Sequence, residues 1–210
     1  MLQFRHSSFI RASFIRVSNF GFGEVTRIVP HHLFLLPCVV MDVPANIPVT
    51  IRPFRPEDQH ACQTLYREGL IGDTKLADND TGFDMDDIES AYMKKPGSCF
   101  FVAIDPAGSV VGTIGVQHHE ESTGEIRRLR VRRDSQRRGI GAKLLEAALK
   151  FCQDHLYLKV TLDTFMTQEP AIKLFEKFRF RQSRTRVVAG KERRYFYLDL
   201  YAGEARKPKS

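Results

Sequence analysis

The chain has 210 residues, of which 42% are hydrophobic and 27% charged, so it can bury a core in one domain and keep an ordinary charged surface. The formal net charge of +7 indicates an anionic ligand or partner, but leaves nucleic acid, a lipid surface and a phosphorylated small molecule open. The four cysteines have no C-x-x-C pair, which argues against a zinc or redox site and favours a reducing, cytoplasmic location, and no apolar run reaches the ~18–20 residues of a membrane helix.

Residues 1–48 differ from the rest of the chain in being basic and rich in serine and phenylalanine. They are either a targeting segment or an upstream extension of a protein whose translation begins at Met41. The second interpretation is favoured, because the segment has neither a clean apolar helical face nor an obvious cleavage site. We therefore expect the folded domain at residues 49–201, followed by a flexible tail at residues 202–210.

Apolar periodicity and turn residues predict an alternating series of strands and helices after this leader. In chain order the predicted elements are a strand at 49–54, a helix at 57–70, a loop at 80–87, a helix at 88–94, strands at 99–104, 110–117 and 125–133, a helix at 139–155, a strand at 157–162, a helix at 170–178 and strands at 181–188 and 194–201. The first helix is expected to bury Ala61, Leu65 and Leu70. Turn residues at 105–108 join two strands into a hairpin. The whole pattern indicates one α/β domain with a mixed sheet.

The strand at residues 125–133 has an irregular apolar pattern. Leu129 and Val131 share one face, whereas Ile126 is out of phase with them by one residue. A β-bulge between Ile126 and Leu129 would restore the phase, and bulges occur preferentially beside active sites. Alternatively, Ile126 is buried on the second face of a sheet that is covered on both sides. Periodicity alone leaves both interpretations open.

The turn after this strand leads directly into the long helix and has the composition of a phosphate site. Its two glycines allow the backbone to approach a ligand closely, and the helix N-terminus offers free N–H groups and the positive end of the helix dipole. Arg137 and Arg138 add positive charge, so the turn is predicted to hold a pyrophosphate. It is neither a P-loop nor a complete dinucleotide-binding motif.

The pattern E-I-x-x-L-x-V at residues 125–131, followed by Q-x-x-G-x-G at residues 136–141, resembles the acetyl-CoA motif of the GNAT N-acetyltransferase superfamily. Residues 49–58, 110–115 and 171–180 resemble that family's opening, third strand and final helix motif in the same order. The resemblance covers residues 49–201. It implies a single α/β (α+β) domain with a mixed, mostly antiparallel sheet and helices on both faces. It also implies an enzyme that moves the acetyl group of acetyl-CoA directly to a primary amine of a small molecule or peptide, without a metal.

The resemblance also implies roles for individual residues. The cofactor-binding residues would be Leu129, Val131, Gln136, Arg137, Arg138, Gly139, Ile140, Gly141, Ala142 and Gln168. Glu125 is the candidate general base that deprotonates the acceptor amine, although a glutamate that opens a strand is commonly a solvated cross-strand partner. On an unbroken strand, Glu125 would share a face with Arg127 and Leu129.

Three positions depart from the family pattern. Phe175 stands where many members have a tyrosine that protonates the leaving thiolate. Gln168 stands where an asparagine often contacts the cofactor. Arg179 replaces a glycine, so a turn that needs a positive φ would carry a side chain at some cost.

Other functions stay open. An acyl-CoA-binding domain without turnover would keep the same motifs, and the three departures together leave this alternative open. A nucleic-acid module would use the arginine run at residues 127–138, but that run lacks interleaved aromatic residues for base stacking. Neither nucleic acid nor a membrane is therefore expected as a partner.

Residues 118–121 are expected at an exposed hairpin tip rather than around a metal, and the acidic loop at 78–87 lacks EF-hand spacing. The motifs leave the acceptor undetermined, and a homodimer is possible.

Overall fold

The computed structural model describes residues 48–68, 82–120, 122–188 and 190–201. The predicted leader up to residue 47, the end of the first predicted helix and the predicted tail lie outside these residues. The strands are β1 Thr50–Pro53, β2 Cys99–Ile104, β3 Val110–Glu120, β4 Thr123–Val131, β5 Lys159–Phe165, β6 Arg181–Val188 and β7 Lys191–Asp199. The helices are α1 Gln59–Glu68, α2 Ile140–Asp154 and α3 Glu169–Lys177, with 3₁₀ turns at Pro56–Asp58, Phe83–Met85 and Arg133–Ser135 and a π-helix at Glu89–Met93.

All seven strands form one sheet in the order β1-β2-β3-β4-β5-β7-β6. Neighbouring strands are antiparallel except β4 and β5, which run parallel. The predicted mixed, mostly antiparallel sheet is therefore confirmed, as is the hairpin that joins β2 and β3. A parallel pair needs a long crossover connection, and α2 supplies it between β4 and β5.

Helices cover both faces of the sheet, as predicted. On one face, α2 and α3 bury a cluster that includes Leu144, Leu145 and Phe175. On the other face, α1 and the π-helix enclose a second cluster, in which the rings of Tyr92 and Phe100 meet edge-on with centroids 5.0 Å apart. The side covered by α2 and α3 is called the α2 face, and the side covered by α1 and the π-helix is called the α1 face.

Two helix predictions need correction. The first helix buries Leu65, as expected, but together with Cys62 and Tyr66 rather than with Ala61, because the stripe at positions 62, 65 and 66 is the one that docks on the sheet. Leu70 lies outside the described residues. The helix expected at residues 88–94 is the short π-helix Glu89–Met93.

The residues that follow α2 and α3 include one with a positive φ in each case. β5 begins at Lys159, two residues later than expected, because the chain leaves α2 through Leu156 at a φ of 57°. Arg179 follows α3 at a φ of 65°, so the positive φ expected at this position is confirmed. Among the residues that the structure describes, no helix is long and apolar enough to cross a membrane.

Candidate active site

A β-bulge in β4 restores the phase of its apolar side chains, which confirms one of the two interpretations of this strand. A two-residue step on β3, from Thr113 to Gly115, faces a three-residue step on β4, from Arg130 to Arg127. Arg128 lies within the longer step and has a φ of 56°. The bulge therefore keeps one apolar set on the α2 face: Ile126, Leu129 and Val131.

β4 and β5 separate soon after their parallel pairing begins. The pairing ends at Glu125 on β4 and at Thr161 on β5. Residues 126–130 of β4 and residues 162–165 of β5 then line a cleft between the two strands. The bulge lies on one wall of this cleft, and a bulge leaves backbone polar groups outside the regular ladder. A ligand in the cleft could therefore bind to the backbone of β4.

The turn from β4 into α2 forms an open backbone cradle. Arg137 and Gly139 have φ angles of 63° and 76°, both in the left-handed region, and Gly139 is the N-cap residue of α2. A Cβ built on Gly139 would have no atom within 4 Å, so the turn is open on this side. Gln136 donates its side-chain amide to the carbonyl oxygen of Val131 at 3.0 Å, which ties the turn to the end of β4. The first N–H groups of α2 have no partner within the helix, so this turn fits an anionic group.

The two glycines of the turn differ in their surroundings. A Cβ on Gly141 would lie 3.4 Å from the side chain of Leu174, an ordinary packing distance towards the protein interior. Only Gly139 combines a left-handed backbone with open space. The cradle therefore depends on Gly139 more than on Gly141.

Gln168 and Phe175 both line the cleft from its α3 side. Gln168 is the N-cap residue of α3, and its amide oxygen accepts a hydrogen bond from the Thr164 hydroxyl at 2.8 Å. Phe175 is buried, and its ring meets that of Phe180 edge-on with centroids 5.9 Å apart. No tyrosine or cysteine is among the described residues that line the cleft. The described wall therefore offers no phenol or thiol as a proton donor.

Glu125 is the third residue of β4 and lies where the strands begin to separate. Its direct neighbours are Gln117 on β3 and Thr161 on β5, neither of which carries a charge. Residues directly opposite in a sheet share a face, so Glu125 lies on the α1 face with Gln117 and Arg127. It does not share this face with Leu129, as it would on an unbroken strand, because the bulge turns Leu129 to the α2 face.

The bulge also brings successive arginines to the same side of β4. Arg127 donates to the side-chain oxygen of Gln117 at 2.9 Å. The guanidinium of Arg128 binds Asp84 and lies over the ring of Tyr66, 5.0 Å from its centroid. Both side chains therefore point to the α1 face. Neighbouring residues of a regular strand would point to opposite faces.

Asp84 holds Arg128 in place, and this contact was not anticipated from the sequence. Its carboxylate accepts hydrogen bonds from Arg128 Nε at 2.8 Å and from the hydroxyl of Tyr92 at 2.6 Å. Burial alone would raise the pKa of Asp84, but the hydrogen bonds from Arg128 and Tyr92 and the guanidinium charge outweigh it and lower the pKa. The carbonyl oxygen of Arg128 also accepts a hydrogen bond from the Thr113 hydroxyl at 3.0 Å. Because 44 residues separate Asp84 from Arg128, no local spacing in the sequence could link them.

The histidines at the end of β3 lie where the chain turns from β3 towards β4. His118 and His119 are exposed, as expected for the end of a hairpin, and His118 Nδ1 lies 3.1 Å from the hydroxyl of Tyr157. That hydroxyl donates to the carbonyl oxygen of Gly97 at 2.6 Å. In the described ranges, no three His, Cys, Asp or Glu side chains are grouped so that they could hold a metal ion.

Comparison with known proteins identifies one family. A profile of the acetyltransferase (GNAT) family matches residues 62–180. This region includes β4, the turn and α2, and it ends after α3.

Two curated proteins are similar to half of the chain or a little less. One is a probable N-acetyltransferase camello of Xenopus tropicalis, 37% identical over 108 residues, which are 50% of this chain and 48% of that protein. The other is the N-acetylaspartate synthetase of Homo sapiens, 42% identical over 99 residues, which are 47% of this chain and 32% of that protein. The chain thus matches half or less of the length of these relatives.

Solved structures share the fold at low sequence identity. A GNAT-family acetyltransferase from Staphylococcus aureus Mu50 superposes with a TM-score of 0.64 at 19% identity, covering 73% of this chain and 99% of that one. The Salmonella typhimurium protein yncA, solved with its cofactor acetyl-CoA, superposes with a TM-score of 0.63 at 18% identity, covering 77% and 98%. These similarities show the fold.

Proposed function

The chain belongs to the acetyltransferase (GNAT) family, and we propose that it is an N-acetyltransferase that moves the acetyl group of acetyl-CoA directly to a primary amine. The observation that carries the proposal is the alignment of three features along β4: the cleft towards β5, the bulge at Arg128 and the open turn at Gly139. Together they provide a slot for an extended ligand, backbone donors beside it and a cradle for its phosphates.

The proposed roles in acetyl-CoA binding follow the geometry of β4 and the turn. The backbone of the turn would bind the pyrophosphate, with Gln136, Arg137, Arg138, Gly139, Ile140, Gly141 and Ala142 as its residues. The backbone near Leu129 and Val131 would bind the pantetheine arm, and Gln168 would contact it from α3. A bulge N–H would be a preorganised donor for the oxyanion that forms at the thioester carbonyl. Each such donor stabilises the transition state by roughly 3–4 kcal/mol.

Glu125 is the proposed general base. An alkyl ammonium has a pKa of about 10.4, so only about one in a thousand is neutral near pH 7.4. Glu125, directly or through water, would take one proton from the ammonium, and the neutral amine would attack the thioester carbon. Attack would form the C–N bond and an oxyanion on the former carbonyl oxygen; collapse of this adduct would break the C–S bond, and the second proton lost from nitrogen would go to the departing thiolate. In this scheme Phe175 need not donate a proton.

A binding domain without turnover is the second candidate, favoured by the absence of a phenol or thiol among the described residues that line the cleft. Both candidates require acetyl-CoA to bind, and only the first produces an acetylated amine. The name of the similar N-acetylaspartate synthetase makes L-aspartate a sensible first acceptor to test.

A homodimer and a cytoplasmic location stay predictions. The unpaired thiols of Cys62, Cys99 and Cys152 support a reducing location.

A thermal melt with millimolar acetyl-CoA tests the cofactor site. A ligand at 100 times its Kd stabilises a protein by about 2.7 kcal/mol, which raises Tm by a few degrees in a domain of this size. The variant Gly139→Glu should lose this rise, since its side chain would project into the cradle. Gly108→Glu is the matched control, because Gly108 also has a left-handed φ, 82°, and nothing within 4 Å of a built Cβ.

The outcomes separate the candidates. A rise in wild type and Gly108→Glu but not in Gly139→Glu supports the cradle, and acetylated product from an amine panel then supports the enzyme. Binding without product favours the second candidate. A folded protein whose Tm does not change with acetyl-CoA would contradict both candidate functions. The basic surface would then favour nucleic-acid binding.

A further inference from the structure

The cleft is lined by more positive than negative side chains. Four arginines and one aspartate are among its described lining residues: Arg127, Arg128, Arg130, Arg193 and Asp163. Arg128 is bound to Asp84, and Arg193 forms an ion pair with Asp163. Two of the four guanidinium groups are therefore balanced by carboxylates, and Arg130 also has an interaction partner.

Arg127 differs from these two because its hydrogen-bond partner is neutral. It donates to the amide oxygen of Gln117, and the amide nitrogen of Gln117 donates to the carbonyl oxygen of Ala91 at 3.4 Å. The side chain is half-buried and lines the cleft on the α1 face. A half-buried guanidinium held in place by an amide is a preorganised site for a carboxylate, which can accept two parallel hydrogen bonds from it.

The proposed cofactor does not account for this charge. Its phosphates would bind at residues 136–142, beyond the end of β4. Arg127 lies four residues before that end, more than about 10 Å away along a strand. The pantetheine arm and thioester that would pass the bulge are uncharged. The positive charge on the α1 face is therefore available to the other substrate.

We propose, on the basis of the function proposed above, that the acceptor is an amine that also carries a carboxylate, and that Arg127 binds this carboxylate. Glu125 lies two residues before Arg127 on the same face, which places the two Cα atoms roughly 7 Å apart. A zwitterionic amine can direct its ammonium group to Glu125 and its carboxylate to Arg127. Short α- and β-amino acids carry both charges a few bonds apart, whereas a simple alkylamine or the side chain of a lysine within a protein lacks the carboxylate.

Binding to the protein loaded with CoA tests this inference without requiring turnover. The probes are the common L-amino acids, each paired with its carboxamide, which keeps the amine and side chain but lacks the α-carboxylate charge; aspartate and glutamate are paired with their diamides. At least one acid should bind between about 10- and 100-fold more tightly than its amide, the range expected for hydrogen bonds to a charged group. A tripeptide that begins with the preferred amino acid distinguishes a free amino acid from a peptide as the source of the carboxylate.

Variants at Arg127 identify the residue that recognises the carboxylate. Arg127→Gln should remove the preference for acid over amide, and in turnover assays it should raise KM for the acid more than it lowers kcat. Arg127→Lys should restore part of the preference, because it keeps the charge but not the two-point geometry. Arg55→Gln removes an exposed arginine whose side chain forms an ion pair with Glu57 at 3.8 Å and which does not line the cleft, so it should leave the preference unchanged.

Equal or tighter binding of the amide in every pair would overturn the inference, as would an acid preference that survives in Arg127→Gln while its Tm is unchanged. Either result leaves the proposed function intact if acetyl-CoA still raises Tm. Loss of acetyl-CoA binding in the wild type would instead contradict the proposed function.

Discussion

Arg128 and Asp84 form a nearly buried two-point ion pair that ties the bulge of β4 to the 3₁₀ turn at Phe83–Met85, with 7% and 13% of their side chains exposed. Arg128 has a φ of 56°, and such a backbone costs a non-glycine residue roughly 1–3 kcal/mol unless its surroundings hold it. Asp84 provides that restraint from outside the sheet. The cleft wall that is proposed to face the thioester is thus positioned by a contact on the α1 face.

Asp84→Asn should destabilise the protein by about 3–5 kcal/mol, because it leaves the guanidinium of Arg128 buried beside a neutral amide. Urea unfolding monitored by circular dichroism measures this loss. Asp154→Asn is the matched control, since Asp154 pairs with Lys150 on the surface at 3.0 Å and should cost less than about 1 kcal/mol. A similar small loss in both variants would show that the buried pair does not stabilise the bulge.

Acid should destabilise the protein through Asp84 and Asp58. Burial alone would raise both pKa values, but hydrogen bonds from Arg128 and Tyr92 to Asp84, and from Arg52 to Asp58, hold them below the ordinary value of 3.8. A carboxyl group whose pKa is lower in the folded state makes its full contribution to the stability of the folded protein above its unfolded pKa. That contribution is lost as the pH falls through the folded pKa.

The contribution of these two groups to the unfolding free energy should therefore be constant from pH 7 to about 5 and fall below pH 3.8. Urea unfolding at pH 7, 5, 4 and 3 measures it. The variant Asp84→Asn should start from a lower stability and lose less between pH 5 and pH 3. An identical acid loss in wild type and variant would contradict the role given to Asp84.

Glu125→Gln should lower kcat by roughly 100-fold or more if Glu125 is the general base. The residual rate should then rise about tenfold per pH unit below the amine pKa, because the variant depends on amine that is already neutral. Steady-state kinetics between pH 6 and 9 measure both effects. Glu120→Gln, at the exposed end of β3, should leave the rate unchanged, and an active Glu125→Gln enzyme would assign the base elsewhere.

Phe175→Tyr should change kcat by less than about threefold. A thiol of pKa about 8.5 can leave without a protein acid, so a new phenol in the cleft would add little. Acetyl transfer assays at pH 7 compare the two enzymes, with Tm as a check on packing against Phe180. A tenfold increase would instead show that thiolate protonation limits the natural enzyme.

The described cysteines should not react with thiol reagents in the folded protein. Burial raises the pKa of Cys62 and Cys152 to about 12 and that of Cys99 to about 11, so almost no thiolate exists at pH 8. In a Cys38→Ser variant, a disulfide reagent at pH 8 should label no thiol in buffer and three in guanidinium chloride. Rapid labelling of the folded variant would show that at least one of these sites opens readily.

Much of the fold could be predicted because it depends on local patterns. The hairpin of β2 and β3 followed from turn residues between apolar runs, and α2 followed from apolar spacing that begins at a glycine. The positive φ of Arg179 followed from the resemblance to a family motif that has a glycine at this position. The apolar pattern of α1 predicted its buried face less well, because several apolar residues could have occupied that face. Docking on the sheet selects Cys62, Leu65 and Tyr66.

The order of residues along β4 and its turn by itself indicated the family and the cofactor motif, and it limited the orientation of Ile126 to two interpretations, because these features are local in sequence. Only the tertiary structure decided that choice, through the register of β3 against β4. It also decided that Arg127 and Arg128 face the same side and that Asp84 holds one of them. Such contacts join residues far apart in the chain, and their geometry depends on how strands pair and helices dock rather than on spacing in the sequence.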